Sequence, residues 1–281
     1  MEAHDVQTSV SDGRATSDGG AGEPETVGAR NRRIARGTVT AAQTVLRKRY
    51  SLASAEEAFT LLRQVSQSRN IKLHTLADAV VRSAPPAPGA ASWFPGRARH
   101  APPRLDGLDL TAHGRGQQGA VIKAALHRML TITGTDMGDV QLAEGGLLRM
   151  DGHVGLNRGF TDFFAFVDQS TTACAQAAVH RSQVTVADVE SAPVFDEESR
   201  RAILEAGSRA CHSVPLLTAS GGLAGMISTH HSRPLKGLTQ AQRKAAEETG
   251  RAAGSWLGWH RRTLVMDALE QLHTVARTGV R

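Results

Sequence analysis

The chain has 281 residues, of which 40% are hydrophobic and 4% aromatic, and its formal net charge is +6. This length allows one large domain or two small ones with tails, and the composition suits soluble α-rich or α/β domains. No apolar run reaches the ~20 residues of a membrane span, and the N-terminus lacks a secretory signal. The two cysteines, Cys174 and Cys211, are too few for a disulfide scaffold. We therefore expect a reduced, cytoplasmic protein without a membrane partner.

Charge is distributed unevenly along the chain. Residues 1–29 hold six acidic residues and one arginine among small polar residues, which predicts a disordered acidic tail. Residues 30–83 hold eleven Lys or Arg and three acids, a net charge of +8, so all other residues together carry −2. A basic excess confined to one short segment indicates a polyanionic partner.

This basic segment, 30–83, has the spacing of three helices. Apolar residues at helical intervals predict a first helix over 32–49. A capping box of Ser54 and Glu57 begins a second helix, which ends near Asn70. The third helix carries its apolar face on Leu73, Leu76, Ala77 and Val80. A core of about 50 residues is marginal, so we expect it to be extended or to dimerise.

The stretch RGTVTAAQTVLRKRYSLASAEEAFTLLRQVSQSRNIKLHTLADAVV covers all three predicted helices. It resembles the ANTAR domain, a three-helix RNA-binding output module of bacterial regulators. The matching residues are Ala42, Val45, Leu46, Arg49, Glu57, Ala58, Leu61, Leu62, Arg63, Asn70, Leu73 and Ala77. Thr44 departs from the family, which usually carries glycine there. The resemblance implies transcription antitermination through paired RNA hairpin loops in nascent leaders.

Basic and polar residues of this segment are the candidate RNA contacts. They are Arg33, Arg36, Ala42, Thr44, Arg47, Arg49, Arg63, Arg69, Asn70 and Lys72. Capping and solubility are the alternative for any single cation near a helix C-terminus. No acid lies between Arg30 and Arg49 to form compensating pairs, which favours RNA for the set as a whole. Because Arg49 matches the arginine of the family, we expect Arg49→Ala to weaken RNA binding more than Lys48→Ala.

A proline-rich linker follows at residues 84–107 and contains six of the ten prolines. Its composition predicts a semi-rigid extended segment. Trp93 and Phe94 are unusual in such a linker. We expect them to dock on a neighbouring domain, with a peptide motif for another protein as the alternative.

The remaining residues, 108–260, predict an α+β domain with an antiparallel sheet and flanking helices. A helix over 121–134 is followed by strands over 138–144, 147–155 and 182–189, two strands about a Gly-Gly turn within 209–234, and a helix over 239–259. The stretches MGDVQLAEGGLLRMDGHVGLNRGFTDFFAFV and RACHSVPLLTASGGLAGMISTHHSRP resemble the sensory GAF domain. The resemblance implies a sensor whose ligand is not fixed by the fold, so the cofactor is unknown.

Candidate ligand-binding residues in this domain are Phe163, Phe164, Cys174, His212 and His230. Core packing is the alternative for the phenylalanines, and a buried inert thiol is the alternative for Cys174. His230 and His231 are strand neighbours that point to opposite faces, so we expect no metal site. No catalytic constellation stands out, and we do not expect an enzyme.

The order of the two domains places the output before the sensor. We expect the linker to prevent a continuous helix between them along the chain, so coupling requires docking or dimerisation. Residues 261–281 continue as a C-terminal helix or tail. The last helix carries a stripe, Ala246, Thr249, Ala253, Trp256 and His260, with Leu257 and Leu264 beside it. If this stripe lacks cover within its domain, it predicts a homodimer. The alternative function is a GAF-based sensory, protein-interaction or redox protein whose helical domain mainly dimerises.

Overall fold

The computed structural model describes residues 26–167 and 172–279, so most of the predicted acidic tail lies outside the described residues. The elements are α1 (Val27–Tyr50), α2 (Ala55–Ser68), α3 (Leu73–Arg82), α4 (Gln118–Thr133), β1 (Met137–Glu144), β2 (Leu147–Val154), α5 (Arg158–Phe163), β3 (Phe166–Val167), α6 (Ala173–His180), β4 (Val184–Val186), α7 (Glu197–Glu205), β5 (Ala210–Leu217), β6 (Leu223–His231), α8 (Gln240–His260) and α9 (Met266–Thr278). A π-helical segment, Arg261–Val265, joins α8 to α9.

The boundaries of α2 follow from local side-chain chemistry, as predicted. The Ser54 hydroxyl accepts a hydrogen bond from the Glu57 amide at 3.1 Å, and the Glu57 carboxylate accepts one from the Ala53 amide at 2.7 Å. These bonds satisfy amides that the first helical turn leaves without partners. At the other end Asn70 has a φ of 51°, the left-handed conformation that ends a helix.

The core formed by α1, α2 and α3 contains a fourth helix, α9, from the end of the chain. Its buried residues from the first three helices and the loop after α2 are Ala42, Leu46, Ala58, Leu61, Leu62, Val65, Ile71, Leu76, Ala77 and Val80. Val265, Ala268, Leu269 and Leu272 pack into the same cluster from the C-terminal side. The marginal three-helix core is therefore extended within its own chain.

The linker is pinned to this helical core, which confirms the expected docking of Trp93. Only 4% of Trp93 is exposed, and its indole N–H donates to the Ala84 carbonyl at 2.8 Å. The Glu270 carboxylate of α9 accepts hydrogen bonds from the amides of Trp93 and Phe94 at 2.8 and 2.6 Å. Since α9 binds the linker through a buried aromatic and a carboxylate, the linker holds α9 in place.

The rest of the chain forms a six-stranded antiparallel sheet in the order β3-β2-β1-β6-β5-β4. Helices α4 and α8 cover one face, where Val121, Leu142, Val214 and Trp256 share a core. Helices α5, α6 and α7 cover the other face over a second apolar core. The predicted α+β class, an antiparallel sheet with flanking helices, is therefore confirmed.

One expectation about the C-terminal helix is wrong, and another is confirmed. The stripe on α8 is not left without cover, because Trp256 and Leu257 are buried against the domain's own sheet and α4. Gly254 lies so close to β5 that a Cβ would meet the Leu217 carbonyl oxygen at 2.3 Å. The C-terminal helix docks on the first domain through α9, which is one of the two coupling routes expected from the domain order. Among the described residues, Val81 and Val179 are the only large exposed hydrophobic residues, and two valines are too few to form an apolar patch that would mark a dimer interface. The homodimer therefore stays a prediction.

Candidate nucleic-acid interface

The outer face of α1 carries exposed cations along most of the helix. We call the set Arg32, Arg33, Arg36, Arg47 and Lys48 the basic stripe. Residues 33, 36, 40, 44 and 47 follow one another in steps of three and four, so they lie on one side of the helix. At 1.5 Å per residue, the stripe from 33 to 47 is about 21 Å long. The opposite side of α1 is buried in the helical core through Ala42 and Leu46.

Short side chains separate the two cationic ends of this stripe. Gly37, Thr40, Ala41 and Thr44 are all exposed. A Cβ at Gly37 would have no heavy atom within 4 Å, so packing does not require this glycine. A glycine inside a helix costs about 1 kcal/mol relative to alanine. The short side chains between the two ends of the stripe therefore let another molecule approach the helix backbone closely. The stability that Gly37 costs the helix is not explained by any contact within the described residues.

Four cations of the basic stripe, Arg32, Arg36, Arg47 and Lys48, form no ion pair with the carboxylates of residues 26–167 and 172–279. Of the acids in the helical domain, Glu57 is engaged in the α2 cap and Asp78 pairs with Arg82. A polyanion would thus meet a row of hydrated cations rather than preformed pairs.

The other candidate RNA residues divide between surface and contact positions. Arg63 and Asn70 are exposed at α2 and its end. Arg69 donates to the Gln271 side chain of α9, and Lys72 pairs with Asp151 of β2. Both cations therefore tie α2 and α3 to other elements and do not join the basic stripe.

Two candidates need correction. Ala42 is fully buried in the helical core, so its side chain cannot contact RNA. Arg49 is partly buried, and its guanidinium lies over the Trp93 ring at 4.5 Å from the centroid. Burial lowers the pKa of Arg49, although the Tyr50 hydroxyl beside it opposes that effect. Arg49 therefore makes a cation–π contact with the linker.

A second polar contact joins the helical domain to the sheet. His74 Nδ1 lies 2.8 Å from Glu144 Oε2, and the Thr75 hydroxyl donates to Glu144 Oε1 at 2.9 Å. Burial would raise the pKa of Glu144, but the hydrogen bonds and charge of His74, with smaller contributions from Thr75 and Arg149, hold it below its usual value. The end of β1 is thereby bonded to the start of α3.

The π-helical segment connects the sheet, the linker and α9. The Arg261 guanidinium donates to the carbonyls of Ala143 and Ala224, at 2.8 and 3.0 Å, where β1 ends and β6 begins. Arg97 of the linker donates to the Arg262 carbonyl at 2.8 Å and pairs with Asp267 of α9. A π-helical turn accommodates one extra residue in a helix and occurs often at functional sites.

The sheet face under α5 and α6 holds a buried group that we call the polar cluster: Asp139, Gln141, Cys174, Ser228 and His230. His230 Nε2 lies 3.2 Å from Asp139 Oδ1, and Cys174 Sγ lies 3.0 Å from Ser228 Oγ. Asp139 Oδ2 and Gln141 Oε1 are buried, and no described residue forms a hydrogen bond with either atom. Leaving such an acceptor without a partner costs about 1–3 kcal/mol, and more when it is charged.

The predicted ligand residues fall on both faces of the sheet. Cys174 and His230 belong to the polar cluster, and Phe164, whose carbonyl accepts from Gln141, lies beside it with Phe163. His212 is on the opposite face, bonded to Thr185 at 2.8 Å, so its grouping with His230 is wrong. Strand register separates them, because Cys211, and not His212, pairs with His230.

Three further properties of the described residues are the state of the Cys174 thiol, the lack of a metal-binding group and the lack of a membrane-spanning helix. Burial raises the pKa of Cys174 to about 11, which keeps the thiol protonated and unreactive. The described residues contain no group of three His, Cys, Asp or Glu side chains placed to hold a metal ion. Among the described helices, none has the length and hydrophobicity to cross a bilayer.

The geometry defines a two-domain protein: a helical domain with a basic outer face, closed by the last helix of an adjoining α+β domain. The family model described as the ANTAR domain matches residues 29–81. The chain therefore carries an ANTAR domain there, which coincides with α1, α2 and α3. A comparison with curated proteins found no match.

Solved structures similar to this chain cover its α+β part. A domain of a putative two-component sensor histidine kinase from Sinorhizobium meliloti is 24% identical, with a TM-score of 0.40 over 48% of this chain and 86% of that one. A GAF domain/HD domain protein from Geobacter sulfurreducens is 13% identical, with a TM-score of 0.44 over 53% and 97%. A type II free methionine-R-sulfoxide reductase from Thermoplasma acidophilum is 13% identical, with a TM-score of 0.40 over 52% and 94%.

Proposed function

We propose that this protein is a cytoplasmic RNA-binding transcription regulator, an antiterminator that acts on leader-RNA hairpins under the control of a GAF sensor domain. The observation that carries the proposal is the basic stripe, which lies on the outer face of α1 within the ANTAR match. Phosphate contacts by its cations supply affinity, and the splayed bases of hairpin loops supply specificity.

The shape of the stripe supports RNA as the polyanion. Two cationic ends, Arg33 with Arg36 and Arg47 with Lys48, flank the short residues around Gly37. An RNA backbone lying across the stripe reaches cations at both ends and approaches the helix at its centre. Close approach of the RNA backbone would explain the exposed Gly37, which packing does not require.

The polar cluster supports a small-molecule effector for the α+β domain. Asp139 and Gln141 present buried acceptors without partners, and a ligand with hydrogen-bond donors would satisfy both. Phe160 and Phe164 close the cluster with rings 4.6 Å apart between centroids. We assign this site to sensing rather than catalysis, because its thiol is protonated and the Ser228 hydroxyl is hydrogen-bonded to Cys174 and Ser213 rather than to a histidine base.

The connection from sensor to output follows from the last helix. α8 lies on the sheet, Arg261 is bonded to the ends of β1 and β6, and α9 completes the core of the ANTAR helices. Reverting the π-helical segment to an α-helix would turn α9 by about 100° relative to α8, since that is the angle per residue. A conformational change in the sheet would in this way move Leu269 and Leu272 within the ANTAR core, and the linker would not have to transmit it.

The test is filter binding of the full chain to a leader RNA with two hairpins. The double variant Arg36→Ala/Arg47→Ala should weaken binding at least tenfold and lower the salt slope by about two, one for each lost phosphate contact. Arg128→Ala/Arg201→Ala is the matched control, because it removes two exposed arginines from α4 and α7. Equal affinities for both double variants, or no binding of structured RNA by the full chain at low salt, would reject the proposal.

A homodimer is part of this proposal and rests on the twofold character of paired hairpins. Helix α9 is committed to its own chain, so we do not assign it to the dimer. Light scattering at tens of micromolar, with and without RNA, measures the mass of the assembly. A single-chain mass in both conditions, with RNA binding intact, would remove the dimer and leave the RNA site standing.

A further inference from the structure

We propose that the acidic segment of residues 1–25 docks on the basic stripe of α1 and competes with RNA for it. This proposal deepens the proposed function, because it adds a regulator of the same surface. The partner is defined by its charge: a segment of this chain with several carboxylates and one arginine.

Charge complementarity supports this occupant. The acids of the segment are Glu2, Asp5, Asp12, Asp18, Glu23 and Glu25, and its single base is Arg14. Its formal side-chain charge is −5, opposite in sign to the four stripe cations Arg32, Arg36, Arg47 and Lys48. In the described residues no acid forms an ion pair with Arg32, Arg36, Arg47 or Lys48, so the described part of the chain offers these cations no competing carboxylate.

The point of attachment makes the contact possible. The segment joins Thr26, the N-cap of α1, at one end of the stripe. At 1.5 Å per helical residue, Arg36 lies about 15 Å and Lys48 about 33 Å from Thr26 along the axis. A chain of 25 residues spans at most about 85 Å when extended, so it can follow the whole stripe.

The expected strength follows from tethering. A short tether gives an effective concentration of about 1 mM, and a weak ionic contact with a dissociation constant of roughly 0.1–0.5 mM would then raise the apparent dissociation constant of RNA about threefold to tenfold. Because both contacts are ionic, salt weakens the competition. Chains with and without the acids should therefore converge in RNA affinity near 0.5 M salt.

The experiment compares three full-length chains. The first is unaltered, and the second carries Glu2→Gln, Asp5→Asn, Asp12→Asn, Asp18→Asn, Glu23→Gln and Glu25→Gln. The control carries Thr8→Ala, Ser9→Ala, Ser11→Ala, Thr16→Ala and Ser17→Ala, which leave the charge unchanged. At 50 mM salt the neutralised chain should bind the two-hairpin RNA threefold to tenfold more tightly than the other two. Equal affinity of all three chains would overturn the proposal.

Two further readouts do not depend on RNA recognition. On a heparin column the neutralised chain should elute at higher salt than the unaltered and control chains. A zero-length carbodiimide cross-link should join a carboxylate of the segment to Lys48 and disappear at 0.5 M salt. If RNA binding fails while both signals appear, the RNA function is wrong and the docking stands. If RNA binds normally but the cross-link is absent and the heparin elution is unchanged, the docking is wrong.

Discussion

Leu269→Ala is the substitution that best tests the role of α9 in the ANTAR domain. The Leu269 side chain is 1% exposed and lies in the cluster that α1, α2 and α3 form. Truncating a fully buried leucine to alanine costs about 3 kcal/mol, from lost apolar transfer and the cavity that remains. The four helices comprise about 60 residues, for which the whole free energy of unfolding is about 3–9 kcal/mol. The substitution therefore removes a large share of the stability of a domain far away in sequence.

Hydrogen exchange resolved by peptide measures this effect in each domain. A loss of about 3 kcal/mol lowers the protection of α2 and α3 amides by about 150-fold, since 1.4 kcal/mol is a factor of ten. The strands β5 and β6, which are not at the edge of the sheet, should keep their protection, because Leu269 does not belong to their cores. RNA affinity should fall along with the protection of α1.

Thr274→Ala is the control on the same helix, because Thr274 is exposed and its change should stay within about 0.5 kcal/mol. If Leu269→Ala leaves α2 and α3 as protected as in the unaltered chain, α9 is not part of their core. The coupling route from sensor to output would then be refuted as well.

Three other predictions concern single positions. Gly37→Ala should raise the free energy of unfolding in urea by up to about 1 kcal/mol, because an added Cβ meets no heavy atom within 4 Å. Gly37→Leu, whose Cβ is equally unobstructed, should weaken RNA binding in the filter assay. Unchanged RNA affinity of the leucine variant would show that RNA does not approach there. Arg49→Ala should lower the free energy of unfolding by about 0.5–2 kcal/mol, because its contact with Trp93 is lost. Lys48→Ala should lower the salt slope of RNA binding and leave the free energy of unfolding unchanged. A loss of stability for Lys48→Ala and none for Arg49→Ala would contradict the placement of Arg49. Because the pKa of Glu144 is lowered in the folded state, this residue stabilises the fold fully above the pKa of an unfolded glutamate, about 4.3, and the contribution is lost as pH falls through the folded-state pKa. Glu144→Gln should therefore reduce the loss of unfolding free energy at acidic pH. An unchanged loss of stability in acid would count against the contact with His74.

The local features of this fold could be predicted from the sequence. The capping side chain of Ser54 and the left-handed Asn70 mark the ends of α2 through contacts within a few residues. The predicted strand ranges overlap β1, β2, β4, β5 and β6, whereas the two-residue strand β3 was not predicted. The sequence could not predict contacts between residues far apart in the chain. Examples are the packing of α9 into the ANTAR core and the contact of the Arg49 guanidinium with the Trp93 ring.

The candidate site shows the same division. The exposed cations of α1 were predicted because charge and helical spacing are local properties. The misassignment of His212 arose from strand register, which depends on the pairing of β5 with β6 and is not written in either strand alone. Ala42 was chosen through the family resemblance, and only the packing of the helices shows that it is buried.

The long stretch of sequence between α3 and α9 has a consequence for how the protein is made. A ribosome adds roughly 5–20 residues per second, so the ~195 residues between the end of α3 and the end of α9 take roughly 10–40 s to synthesise. Throughout that interval the helical domain lacks Leu269 and Leu272, the leucines that complete its core. Products of premature termination within that interval lack them permanently. The core of the helical domain is therefore completed only after the sheet domain has been synthesised.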